Sequence, residues 1–200
     1  MTRAEVVVRS LSATQAATRH KLIDAAIALA TDGGYEAVGM RQVAARAGVS
    51  APTAYQYFSS KDHLLVDALV ELVGQTTDAV EARPPSRGRS APDRVAATLR
   101  RAVQGVERSP ALYVAVTRAF ISGAPEVSHA RGVLELSMRR WIDLALEGSD
   151  VDDEDGVAEV LESVLFANMV GLVTGANEPG DVGDALERAV RTLLPREEMR

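Results

Sequence analysis

Three side chains in one short region of this sequence have the chemistry to read a nucleic acid: Thr53, Gln56 and Tyr57. The amide of Gln56 and the hydroxyl of Thr53 can hydrogen-bond base edges in a major groove. If residues 51–57 form a helix, Thr53, Gln56 and Tyr57 share its exposed face. Ser50 can cap that helix, leaving the amides from Ala51 onward pointing outward, where they favour phosphate.

Such a face must be held by a second helix. Val43, Ala47, Val49, Ala54 and Phe58 are spaced to meet as a small core between helices expected at Met40–Ala47 and Ala51–Tyr57. Small residues at 44 and 47 permit close approach, and Gly48 can take the positive φ of a tight inter-helix turn. This is helix-turn-helix spacing.

Upstream, a helix is expected from about Thr18, with Leu22, Ala26, Leu29 and Ala30 on one face and Gly33-Gly34 as its end. Residues 1–17 read as a flexible arm, in which Arg3 and Arg9 could enter a minor groove or simply stay solvated. Downstream, Ser59 is expected to open a longer helix as a capping box with Asp62, and Leu65, Leu69, Leu72 and Val80 mark its face. The stretch from Arg83 to Pro92, rich in Pro and Arg, reads as loop. Further helices are expected over 92–108, 110–121, 127–147, 152–174 and 181–194. The fold class is therefore all-α, about nine helices, with a helix-turn-helix DNA-binding domain over 18–64 and a helical body over 65–200.

Composition narrows the remaining chemistry. Apolar residues make up 46% of the chain, enough for a core, and no run approaches the roughly 18 apolar residues of a membrane span. Zero cysteines excludes disulfides, thiolate zinc sites and thiol catalysis. His20, His63 and His129 are scattered without metal spacing. Neither a Walker loop nor a Gly-x-Ser-x-Gly elbow is present. Residues 151–162 approach a calcium loop, yet Val151 stands where the first carboxylate belongs, and an acidic helix N-terminus explains the run. No metal, no cofactor and no catalytic residue is expected, and a soluble cytoplasmic protein without a membrane partner is the plain reading. The net charge of −6 is uneven: residues 1–63 hold seven Lys/Arg against five Asp/Glu, and residues 64–200 fifteen against twenty-three. An acidic body with a slightly basic end suits contact with phosphate at that end only.

The segments Gly34-Tyr35, Arg41-Gln-Val-Ala-Ala-Arg-Ala-Gly-Val-Ser50, Thr53-Ala-Tyr-Gln-Tyr-Phe-Ser-Ser-Lys-Asp62 and Leu64 resemble the TetR family of one-component repressors. The resemblance implies that Tyr55, Tyr57 and Lys61 contact phosphate and that Thr53, Gln56 and Arg41 contact bases. Gly39, Pro52 and Ala54 depart from the family pattern, which commonly has Thr, Gly and Leu or Ile there. It further implies that the body binds an effector and dimerises as a homodimer on a palindromic operator in double-stranded DNA. Implied cavity residues are Tyr113, Phe120, Met138, Trp141, Phe166 and Met169, with Arg118 or Asn168 as polar anchors. Gly33-Gly-Tyr-Glu-Ala-Val38 and Arg108-Ser-Pro-Ala-Leu112 are similar to the cholesterol-catabolism repressors within that family. That implies a small hydrophobic effector, a lipid or a steroid-derived acyl-coenzyme A. From the residues alone a second class stays open: an all-helical interaction module or enzyme whose helix-turn-helix is only structural.

Overall fold

The structure, a computed structural model, describes residues 12–86, 90–123 and 127–194. The proposed arm arginines Arg3 and Arg9 lie outside the described residues. Nine α-helices account for the regular structure of the described residues: α1 Ala13–Ala37, α2 Met40–Ala47, α3 Ala51–Tyr57, α4 Lys61–Glu81, α5 Ala91–Arg108, α6 Pro110–Ile121, α7 Val127–Leu146, α8 Glu154–Thr174 and α9 Pro179–Leu193.

The first helix starts earlier than the apolar pattern indicates. Ser12 accepts from the Gln15 amide at 3.3 Å, and the Gln15 side chain accepts from the Ser12 amide at 2.9 Å. This capping box and the good helix formers Ala13, Ala16 and Ala17 carry helix into residues expected as arm. Gly33 and Gly34 interrupt α1 as expected, with Gly34 at φ +66, and one further turn carries the chain to Ala37. The opening of α4 is a second correction. Its cap is Ser60, which accepts from the His63 amide at 3.0 Å, while Ser59 turns to the His63 ring.

Two apolar cores form. The first joins α1, α2, α3, the start of α4 and one face of α6, around Leu22, Ile23, Val43, Ala54, Phe58, Leu64 and Val116. Phe58 is fully buried there, a contribution of roughly 1.5–3 kcal/mol by apolar burial alone. The second joins the end of α4 to α5, α7, α8 and α9, around Leu99, Ile142, Leu161 and Leu186. Helix α4 thus belongs to both cores, and Val73 and Tyr113 pack against both.

One helix departs from the expectation drawn from runs of apolar residues. Within its 21 residues α8 holds an 18-residue stretch of mean hydropathy 1.6, long and apolar enough by composition to cross a bilayer, and 28% of that stretch is buried. Here it packs along α6, α7 and α9.

Arg94 ties the second core together from within. Its buried guanidinium donates to the Ala145 carbonyl at 2.6 Å and also to Ser149 Oγ, reaching the end of α7 from the start of α5. Those C-terminal carbonyls lack intrahelical donors, so the cation satisfies them and complements the helix dipole. Arg94→Ala is expected to cost about 2–4 kcal/mol in urea unfolding; a loss below about 0.5 kcal/mol would show that the contact is dispensable.

Candidate functional site

The helix-turn-helix is built from local rules. Gly48 ends α2 in the left-handed region, at φ +71. Ser50 then caps α3, accepting from the Thr53 amide at 3.2 Å. Its Oγ also lies 2.8 Å from Thr53 Oγ1, so the Thr53 hydroxyl is held at the helix start. Pro52 occupies the first turn, where no helical amide is lost. Ala54 and Phe58 are fully buried on the inner side, and Ala51 and Tyr57 lean partly on the same core. Tyr55, Gln56, Ser50 and Arg41 face solvent, with Tyr55 55% exposed. Gly39 starts α2 without a side-chain cap, as its departure from the family pattern implied.

Lys61 opens α4 and rests on α1. Its Nζ lies 3.7 Å from the centre of the Tyr35 ring and 3.4 Å from the Tyr35 carbonyl oxygen. The Arg118 guanidinium, from α6, lies 4.1 Å from the same ring centre and 3.0 Å from Glu36. The Tyr35 hydroxyl donates to Asp62 at 2.6 Å. Two cations over one aromatic ring therefore join the end of α1, the start of α4 and the end of α6. Arg118 does not reach the cavity for which it was expected as a polar anchor. It follows Thr117 by one residue and points about 100° around the helix from it. Asn168 is also used elsewhere: it donates to the Val164 carbonyl at 2.8 Å and accepts from Asn177 at 3.0 Å.

Between the two cores lies a cavity of about 530 Å³, walled by α4, α5, α6, α7 and α8. Tyr113, Phe120, Met138, Trp141, Phe166 and Met169 all line it. The Trp141 indole donates to Thr77 Oγ1 at 3.1 Å, which fixes the ring in the wall. The sequence reading missed the polar lining: Thr76, Thr117, Arg131, Glu135, Glu159 and Glu162. For Thr117 a signal existed, since it follows Tyr113 by one helical turn. Glu162 is held above the ordinary carboxylate range, first by burial and then by the nearby Glu135. The acidic run before α8 serves as a helix start: Asp153 accepts from the Gly156 amide at 2.9 Å.

Comparison with known proteins agrees with this geometry. The model of bacterial regulatory proteins of the tetR family matches residues 22–68, and that of the tetracyclin repressor-like C-terminal domain matches residues 88–193. The chain belongs to the TetR family of transcriptional regulators. It is 35% identical over 191 residues to the transcriptional repressor KstR of Mycolicibacterium smegmatis, covering 94% of this chain and 92% of that protein. A TetR regulator from Rhodococcus sp. RHA1 superposes with a TM-score of 0.75 at 26% identity, covering 92% of this chain and all of that one. The fold also matches Thermus thermophilus FadR in complex with lauroyl-CoA, with a TM-score of 0.64 at 22% identity over 91% of this chain and 96% of that one. The chain is thus a transcriptional regulator of the TetR type and not an enzyme, which closes the enzyme alternative.

The Tyr35 junction has a titration signature. Burial, then the hydrogen bond to Asp62, raises its phenol from the usual 10.0 to about 12. The folded state holds that proton longer than the unfolded chain, so the contribution is complete below pH 10 and is lost as pH rises toward 12. Urea unfolding followed between pH 9 and 12 should show Tyr35→Phe losing stability less steeply than wild type; parallel slopes would mean the phenol is unperturbed.

Proposed function

We propose that the regulator binds a palindromic operator in double-stranded DNA as a homodimer and is released by a small hydrophobic effector. The observation that carries the reading is the exposed, Ser50-capped face of α3 connected through Tyr35 to a helix that walls an apolar cavity. In this reading residues 18–64 read DNA and residues 65–200 bind effector and partner. Thr53, Gln56 and Arg41 meet base edges, while Tyr55, Tyr57, Lys61 and the Ser50–Ala51 helix start meet phosphate. To reach phosphate, Lys61 exchanges its place on the Tyr35 ring for the DNA backbone.

The dimer is supported by α8, whose apolar length is left largely uncovered by its own chain. A second copy packing α8 and α9 against their equivalents would bury Val160 and the small residues beside it, and would place two α3 helices on a symmetric site. The cavity volume of about 530 Å³ falls in the ordinary range of small-molecule sites, about 300–1,000 Å³. An acyl-coenzyme A derived from a lipid or a steroid is the effector class favoured by the subgroup resemblance. The lauroyl-CoA held by the FadR relative supports it. The place of action is the cytoplasm, where the operator lies.

Effector binding shifts α6 and with it the Arg118–Tyr35–Lys61 contact, so that the two recognition helices no longer match the half-site spacing. Coupling of this kind is reciprocal: operator DNA must weaken effector binding by the same factor.

The test is binding to the DNA upstream of the regulator's own gene, in competition with unrelated DNA. Wild type should bind selectively with a steep salt dependence. The double variant Tyr55→Ala, Lys61→Ala should lose at least about tenfold in affinity, with the salt slope reduced by about 1 for the lysine. Equal binding by variant and wild type would remove α3 and α4 from the DNA interface.

A further inference from the structure

The turn that joins α3 to α4 is held by a histidine ring. Ser59 lies between the two helices, outside both, directly after the fully buried Phe58. Its backbone amide donates to Nδ1 of His63 at 3.3 Å, and its Oγ lies 3.2 Å from the same nitrogen. The His63 amide donates in turn to Ser60 Oγ at 3.0 Å, so one residue secures the connection with both its backbone and its ring. The ring also meets the Phe58 ring edge-on, with centroids 5.2 Å apart. Phe58 is the side chain that seats the end of α3 in the first core.

A backbone amide can only donate, so the nitrogen that receives it carries no proton. The hydrogen-bond network therefore assigns the ring proton to Nε2, which lies 3.6 Å from Asp67 Oδ2. The charged groups beside the ring come from two helices. Asp67 of α4 is bound by Arg19 of α1, whose guanidinium also lies 5.6 Å from the centre of the Phe58 ring. One turn further along, His20 of α1 pairs with Glu71 of α4 at 3.2 Å. From α3 the ring receives the uncharged Phe58. A proton added at Nδ1 sets one N–H against another. The Ser59 hydroxyl can rotate to accept that proton, whereas the Ser59 amide loses its acceptor.

We propose that His63 is a positioning residue for operator binding: its neutral ring anchors the Ser59 amide and so fixes how α3 is held on α4, and acidification releases that anchor. This rests on the reading above in which α3 meets the operator. Tyr57 and Lys61 flank the anchored turn and both meet phosphate in that reading, so a loosened turn misplaces the two together. The device lies wholly within the DNA-binding half and acts without any molecule in the cavity.

The test is affinity for the DNA upstream of the regulator's own gene, at constant salt, from pH 7.5 to 5.5, where histidine side chains change charge. Wild type should lose about fivefold or more across that range. His63→Asn places an oxygen acceptor on Cγ where Nδ1 stands and does not titrate. It should bind within about twofold of wild type at the upper end and keep that affinity at the lower end. His63→Phe keeps a ring against Phe58 without an acceptor, and should be weaker by about fivefold throughout. His20→Gln, which removes the neighbouring histidine, should leave the wild-type profile unchanged. In the free protein, hydrogen-exchange protection of the Ser59 amide should fall on acidification in wild type and hold in His63→Asn. Wild-type affinity that stays level or rises on acidification overturns the proposal, as does a His63→Asn profile parallel to it or a Ser59 protection that ignores pH. Any of these alongside selective binding at the upper end leaves the operator reading standing; absence of selective binding there overturns both.

Discussion

The ring of Tyr35 is the polar fastening between the two halves of this regulator, beside the apolar packing of α6 in the first core. It accepts Lys61 and Arg118 over its π-system and gives its hydroxyl proton to Asp62, so three helices meet on one side chain. Cation–aromatic contacts of this kind are worth about 0.5–2 kcal/mol each. In the proposed function that is a suitable size for a switch: strong enough to bias a position, weak enough to be exchanged for phosphate.

The rest of the architecture follows from sharing helices between two cores. Helix α4 begins in the core under the recognition helix and ends in the core of the body. Helix α6 gives Leu112, Val116 and Ala119 to the first core while its opposite side, Tyr113 and Thr117, faces the cavity. Helices are stiff, so displacement at the cavity wall is carried to the first core rather than absorbed. In the proposed function the gap between the cores is the effector site, and it lies where both cores meet.

The acidic body also has a structural use. Asp153 caps α8, Asp155 pairs with Arg139, and Glu187 binds Arg100 at 2.8 Å and Arg191 at 2.7 Å. Most of these pairs are exposed and individually weak. The excess of negative charge stays on the body, and the end that carries α3 is slightly basic.

What the sequence determined by itself is the part governed by neighbours along the chain. The bounds of α2 and α3 were legible because Gly48, Ser50 and Phe58 each act within one turn. The six apolar residues that line the cavity came from the family resemblance and not from a local rule, and Phe166 among them is 44% exposed. What only the tertiary structure decided is the direction of polar side chains with more than one available partner. Ser59 and Ser60 could each cap α4, and the His63 ring beside Ser59 settled it. Arg118 was expected in the cavity, yet a guanidinium finds more in the Tyr35 ring and Glu36 than in an apolar wall. Thr117 lines the cavity because the packing of α6 between two cores fixes which side of the helix faces empty space, and no local rule contains that information.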